Sequence, residues 1–459
     1  MNKYIGIVFL ALLISSCRNA KEYVAPKMIF PASYRGQENP DSASIAHLPW
    51  KQLFTDTLLR ALITQGLAKN LDLKIALKQI EIAHAALQQS KAAFLPDLSV
   101  KTGLTASKLA FPQGFGLRSS STQYDLFVNT SWEADIWGKL KSAKKAALAR
   151  LLQSQEAKRA VQTQLIADIS NAYFTLLAMD QQLRVLEKTL VNRKEDVKAM
   201  KSLMAANIVN GAAEVQSEAN QYSAEASIPR LKRQIREMEN ALSTLLSRPA
   251  RQIKRSSLDG QKLDVRLQAG MPVQLLQNRP DVKQAEYAYR AAFEDTNVAR
   301  RAFYPSLSLT ASGGFSSFNF RDWLAAPGLF GNVAAGILQP VLNKGQNKAR
   351  LKTALALKEQ ALYTFEKSVL SAGEEVSNAL YAWETAVEQY QIRRRQITAL
   401  EKAVDFTKKL LKYSSATNYT DVLSSEQGLL AAELDGVNDQ LEQWRAVVAL
   451  YRAIGGGSI

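Results

Sequence analysis

Few side chains in this 459-residue chain could do chemistry, and their spacing decides of what kind. The two histidines, His47 and His84, have no companion at metal-ligand or catalytic-triad spacing. Acidic pairs such as Glu374-Glu375 lie in a highly charged helical stretch and read as solvent-facing. The glycines at 455–457 close a helical pattern and open none, so they make no phosphate loop. Neither an enzyme nor a bound cofactor is expected. The informative nucleophile is Cys17, the single cysteine, which rules out an intramolecular disulfide. It follows Lys3, an apolar run over residues 5–14, and the tripeptide Ile14-Ser15-Ser16. That run is too short to cross a bilayer as a helix and reads as a secretory signal. Small residues before a lone cysteine resemble a bacterial lipobox. Cleavage after residue 16 would leave Cys17 first, and acylation of its thiol (a palmitate-type modification) would anchor the chain at ~0.8 kcal/mol per buried CH₂. An ordinary signal peptide with an incidental cysteine is the competing reading.

The 58 Lys and Arg against 42 Asp and Glu give a net charge of +16. These basic residues are spread along the chain and no nucleic-acid module is visible, so nucleic acid is not an expected partner. Hydrophobic content of 47% is ordinary for a folded protein. Beyond the signal, no stretch offers 18 consecutive apolar residues. A chain of this kind that crosses a membrane must use β-strands, because only helices and closed barrels satisfy the backbone in lipid.

The elements come in two copies. Leu67, Asp72, Lys74, Ala76, Ala83, Ala93, Phe94, Pro96, Leu98 and Ser99 all recur 209 residues later without a gap. Chance would give about two such identities, so the chain reads as a duplicated unit. Repeat 1 is expected over 50–257 and repeat 2 over 258–459, after a tether at 17–49 that carries Pro26, Pro31, Pro40 and Pro49. Helical spacing starts at Trp50 and predicts one helix to about Phe94, ended by Pro96. The period then changes from 3.6 to 2. Leu98, Val100, Thr102, Leu104 and Ala106 share one face, and Tyr124, Leu126, Val128, Thr130 and Trp132 do the same after a Gly/Ser-rich loop. Phe127 is an apolar exception on the opposite, polar face. This predicts a β-hairpin over about 98–133 with strands of membrane-crossing length, and Trp132 and Trp137 suit an interfacial girdle. Repeat 2 predicts a helix at about 272–303 and a hairpin at about 306–340.

Each hairpin leads into a long helix. No Gly or Pro occurs between Gly138 and Gly211, and the counterpart from Gln346 to about Ser415 is interrupted only by Gly373. At 1.5 Å per residue such helices run on the order of 100 Å. Each turns back, at "AANIVNGAAEVQ" and "YSSATNYTDVL", and the second hairpin runs to 454. Pro229 is expected to kink or break the first return helix. The fold class is mainly α with a small β part. Four strands cannot close a barrel, and a narrow apolar stripe on so long a helix must be buried against other long helices. Both arguments call for a homo-oligomer.

The block "NRPDVKQAEYAYRAAFEDTNVARRAFYPSLSLTASGG" is similar to the most distinctive stretch of TolC-like outer-membrane factors, in particular the NodT-type lipoprotein branch. "SWEADIWGKLKSA", "IPRLKRQIREMENALSTLLSRP", "QPVLNKGQNKARL", "DVLSSEQ" and "LYRAIGGG" follow the same order, and the similarity spans about 45–457. The resemblance implies a homotrimer in which a 12-stranded β-barrel in the outer membrane of a Gram-negative bacterium continues into an α-helical barrel in the periplasm. It implies the exit duct of a tripartite efflux pump for drugs or other small molecules, with an inner-membrane RND-type pump and a periplasmic adaptor (membrane fusion protein) as partners. The adaptor would meet the hairpin tips, nearest Asn207, Gly211, Ser415 and Asn418. The family's aspartate ring past the second tip places Asp421 as gate candidate, while Ser424 departs from the second acidic position. Asp421 also reads as a helix N-cap. The alternative of another class is a lipid-anchored periplasmic coiled-coil scaffold or adhesin without a pore. It leaves strands arriving twice at 207–209 spacing unexplained.

Overall fold

The computed structural model describes residues 22–28, 31–35, 44–108, 120–263, 267, 269–413 and 419–457. Cys17, Ser415 and Asn418 lie outside them. In chain order the main elements are α1 (Thr57–Lys69), α2 (Leu71–Ala92), β1 (Asp97–Lys108), β2 (Ser120–Ala134), α3 (Lys139–Ala205) and α4 (Gly211–Leu245). They are followed by α5 (Pro280–Arg301), β3 (Ser306–Ser317), β4 (Leu329–Leu338), α6 (Gln346–Tyr413) and α7 (Tyr419–Ala453). From α2 onward each element of the first half begins 207–209 residues before its counterpart. Even the strand-to-helix corners repeat: Gly138 and Gly345 both take left-handed φ, 76° and 77°, which a residue with a Cβ adopts only at a cost.

The chain packs as two compact units. The first comprises residues 1–27, 79–154 and 284–365; the second comprises 28–78, 155–283 and 366–459. The first holds the sheet, a four-stranded antiparallel array in the order β1-β2-β3-β4. The second holds an aromatic core in which Phe174 stacks on Trp444 at 4.7 Å and Phe54 meets Phe174 and Tyr451. Tyr173, Phe174, Phe54 and Leu242 are all but sealed from solvent there.

Four local expectations are revised. The helix predicted from Trp50 to Phe94 is three pieces, a turn at Trp50–Leu53 followed by α1 and α2. Asp56 caps α1 by accepting from the Leu58 and Leu59 amides (2.8 and 3.4 Å). Asn70, with extended ψ of 134°, ends α1 and accepts from the Leu73 amide while its own amide donates to Leu245 O. Tertiary bonds of this kind outweigh a continuous apolar period. Secondly, α4 runs through Pro229 without a break. Pro229 and Glu225, whose carbonyl loses its donor, are both exposed, so solvent can satisfy the orphan group. Thirdly, Gly373 sits within an unbroken α6. Lastly, the stretch expected as a tether is docked at Tyr23, whose ring meets Tyr289 and Phe293 of α5 under the Arg290 guanidinium (5.2 Å). Burial there raises the Tyr23 phenol pKa, assisted by the neighbouring Glu286 carboxylate.

Candidate functional site

The functional surface begins with the register of the sheet. Leu98 pairs with Thr130, Val100 with Val128, Thr102 with Leu126 and Leu104 with Tyr124. Across the next ladder Leu126 faces Phe315, Thr130 faces Ala311 and Trp132 faces Leu309. Phe315 then faces Leu329, Ala311 faces Val333 and Leu307 faces Ile337. Directly opposed residues lie on one side of a sheet, so the apolar alternation of all four strands falls on a single face. That face is uncovered: Leu98, Val100, Val333 and Ile337 are 70–81% exposed. A soluble protein would bury such a patch.

The other face is polar, with Ser99, Lys101, Thr105, Asn129, Ser312, Ser316 and Asn332. Gln123 donates to Asp125 and Ser316, and Ser316 donates to Asp125. Phe127 interrupts it because its neighbour across the ladder is Gly314, and Gly314 in turn faces Phe330. The two phenyl rings meet over the missing side chain, centroids 6.0 Å apart. β1 and β4 are edges, each paired on one side only. At the helix end of the sheet, Trp132 Nε1 donates to Phe94 O (2.9 Å) and Trp137 Nε1 to Pro305 O (2.6 Å). Both indoles are partly buried there, each polar tip satisfied by a backbone carbonyl.

At the opposite end of α3 the chain reverses through Asn207. It takes left-handed φ of 57°, its amide donates to Met204 O, and Ile208 N donates to Leu203 O. This pair of bonds is the glycine-type helix stop, filled here by asparagine. Gly211 is the first residue of α4 and its preceding Asn210 is the cap, accepting from the Ala213 amide. Asp421 is the third residue of α7 and exposed; its carbonyl accepts from Ser425 Oγ. The cap position of α7 lies earlier in the chain than Asp421.

Five residues further into α7 lies a cluster that sequence reasoning missed. Glu426 pairs with Arg193 of α3 and with Lys408 of α6 (2.5 Å), and Lys408 also reaches Asp196 (3.1 Å). Arg193, Asp196 and Glu426 are all buried. Burial pushes the Glu426 carboxyl pKa up against the pull of Lys408. No spacing rule joins positions 193, 408 and 426; only three helices meeting bring them together. A second missed network gathers around Arg279, buried to 4% exposure. It donates to Asp281 (2.9 Å), to Glu375 of α6 (2.8 Å) and to Ala453 O at the end of α7 (2.9 Å). Glu375, expected to face solvent, is half-buried and also pairs with Arg452 (3.2 Å), whereas Glu374 is exposed. His47 and His84 are exposed, and among the described residues no group of His, Cys, Asp and Glu could hold a metal ion.

An exposed apolar face on a four-stranded sheet joined to very long helices has a close match among known proteins. The family model described as outer membrane efflux protein matches residues 62–248 and again 271–456. This chain belongs to the outer membrane efflux protein family. The double match, displaced by 209 residues at its start, coincides with the internal repeat. The chain is 27% identical to the probable outer membrane lipoprotein SilC of Salmonella typhimurium over 99% of its length and 98% of that protein's. It is 30% identical to the solvent efflux pump outer membrane protein SrpC of Pseudomonas putida, over 98% and 97%. The open-state structure of the Neisseria gonorrhoeae MtrE outer membrane channel superposes with a TM-score of 0.85 at 27% identity, covering 95% of this chain and 98% of that one. This efflux protein is therefore an outer-membrane component of an efflux system and not an enzyme. No described helix is long and apolar enough to cross a membrane.

Proposed function

We propose that three copies of this chain close their sheets into one twelve-stranded barrel, forming the exit duct of a tripartite pump for drugs or other small molecules. The carrying observation is the sheet itself: one uncovered apolar face and two unpaired edges. Edges in lipid leave backbone groups unsatisfied at several kcal/mol each, and the β4 edge of one copy meeting the β1 edge of the next removes both. The apolar face then meets lipid and the Ser/Thr/Asn face lines the lumen. Acylated Cys17 adds an anchor, in keeping with the lipoprotein named among the relatives. The periplasmic adaptor docks on the tips around Asn207, Gly211, Ser415 and Asn418, and an inner-membrane RND-type pump supplies the driving force. Detergent-purified protein is expected to be trimeric and to give stepwise conductance in planar bilayers. A monomer, or a trimer that never conducts even after Asp421→Ala, favours the poreless scaffold.

Asp421 contributes to the closed end, where cations drawn to three carboxylates near one axis hold them together against their mutual repulsion. Asp421→Ala is expected to raise channel conductance several-fold and sensitise cells to large antibiotics; wild-type conductance together with wild-type susceptibility rejects this role. Cys17→Ser is expected to abolish palmitate labelling while leaving the sheet able to form. Retained label in that variant removes the anchor reading.

A further inference from the structure

On the Ser/Thr/Asn side of the sheet, one row near its middle differs from the polar rows flanking it. Lys101 of β1, Phe127 of β2, Gly314 of β3 and Phe330 of β4 are mutually paired across three ladders and so form a single row. The row on one side is Gly103, Asp125 and Ser316, tied by hydrogen bonds between Asp125 and Ser316. The row on the other is Ser99, Asn129, Ser312 and Asn332. Between them the two phenyl rings touch over Gly314, and the Lys101 ammonium stands 5.8 Å from the Phe127 ring centre. Phe330 remains 37% exposed and Lys101 is exposed. The rings therefore do not finish one another's burial: apolar surface and a cation are left facing the same side.

We propose that this row is a binding belt for aromatic organic anions within the barrel. The proposal rests on the channel reading above, since the trimer repeats the row three times around the lumen. An aryl group lies against Phe127 and Phe330 in the offset or edge-on contacts such rings favour. The anionic group pairs with Lys101, whose charge is already held beside an aromatic face. The flanking Ser, Asn and Gly rows offer no comparable apolar surface, so passing solutes dwell at this level and slide elsewhere. Gly314 makes the site possible by letting both rings occupy one row.

The test uses the full chain purified in detergent, with 2-naphthalenesulfonate as probe and methanesulfonate as the control lacking an aryl group. Equilibrium dialysis is expected to show saturable binding of the aryl sulfonate and none of methanesulfonate. Lys101→Gln, which removes the charge and leaves the backbone ladder unchanged, is expected to weaken binding about tenfold, the scale of one charge-assisted contact. The double variant F127L/F330S is expected to abolish saturable binding. Should it fail to assemble, Lys101→Gln with its intact rings decides alone. A wild-type trimer that does not bind the probe, or Lys101→Gln binding as wild type, overturns the belt and leaves the channel standing. A chain that is not trimeric overturns the channel reading instead.

Discussion

Arg279→Ala is expected to cost about 1–3 kcal/mol of folding stability, the scale for losing hydrogen bonds to a buried charged group whose acidic partners stay partly solvated. The guanidinium is buried among Asp281, Glu375 and Ala453 O. Its loss leaves the Asp281 carboxylate and one helix-terminal carbonyl without a charged donor, and Glu375 with Arg452 alone. Arg279→Lys keeps the charge but cannot serve three acceptors in a planar fork, so it should recover only part of the loss. Thermal unfolding of the purified protein followed by circular dichroism reads the effect. A melting temperature within a degree or two of wild type for Arg279→Ala would show that the network is not what holds α5, α6 and α7 together.

The same network sets an acid limit. Burial alone would raise the Asp281 pKa, but its bond and charge pairing with Arg279 outweigh burial and hold it below the usual carboxylate value. A carboxyl depressed in the folded state contributes fully above its unfolded pKa of about 3.9 and loses that contribution as pH falls through the folded value. Acid sensitivity of wild type should therefore set in below about pH 4, and Asp281→Asn should flatten that part of the profile.

Gly314→Val is expected to abolish assembly of the sheet. A Cβ built at Gly314 falls 2.1 Å from Leu126 O and 2.5 Å from the Phe127 Cα, both backbone of the paired strand. A flexible side chain could turn aside; a strand held in ladders on both flanks cannot, except by leaving its register. The neighbouring Gly313 is the control, because its added Cβ would meet Phe330 O at an ordinary 3.5 Å. Gly313→Ala should insert as wild type, whereas Gly314→Val should leave the helices folded and the outer-membrane trimer missing. Outer-membrane fractionation with a heat-modifiability assay separates these outcomes. Normal trimer yield from Gly314→Val would mean that β2 and β3 are not paired in this register.

Much of this architecture is written locally in the chain. The 209-residue echo, the change of period after Pro96 and Pro305, and the long runs without Gly or Pro are properties of neighbouring residues. Steric and solvation preferences within a few residues suffice to produce them. The left-handed stop of α3 at Asn207 is likewise a single-residue property, since asparagine enters that conformation more readily than most residues.

Other features exist only once distant segments meet. The pairing of β2 with β3 joins the two repeats into one sheet, and no residue in either hairpin specifies that partner by itself. Phe127 looks misplaced in its strand until Gly314 and Phe330, from the other repeat, supply the row in which it fits. Glu375 passes for a solvent-facing acid until Arg279 arrives beside it, and Arg193, Asp196, Lys408 and Glu426 become one cluster only where α3, α6 and α7 converge. Periodicity reports which face of an element is apolar. It is silent on which element covers that face, because burial and ion pairing are decided by surfaces the local sequence does not contain.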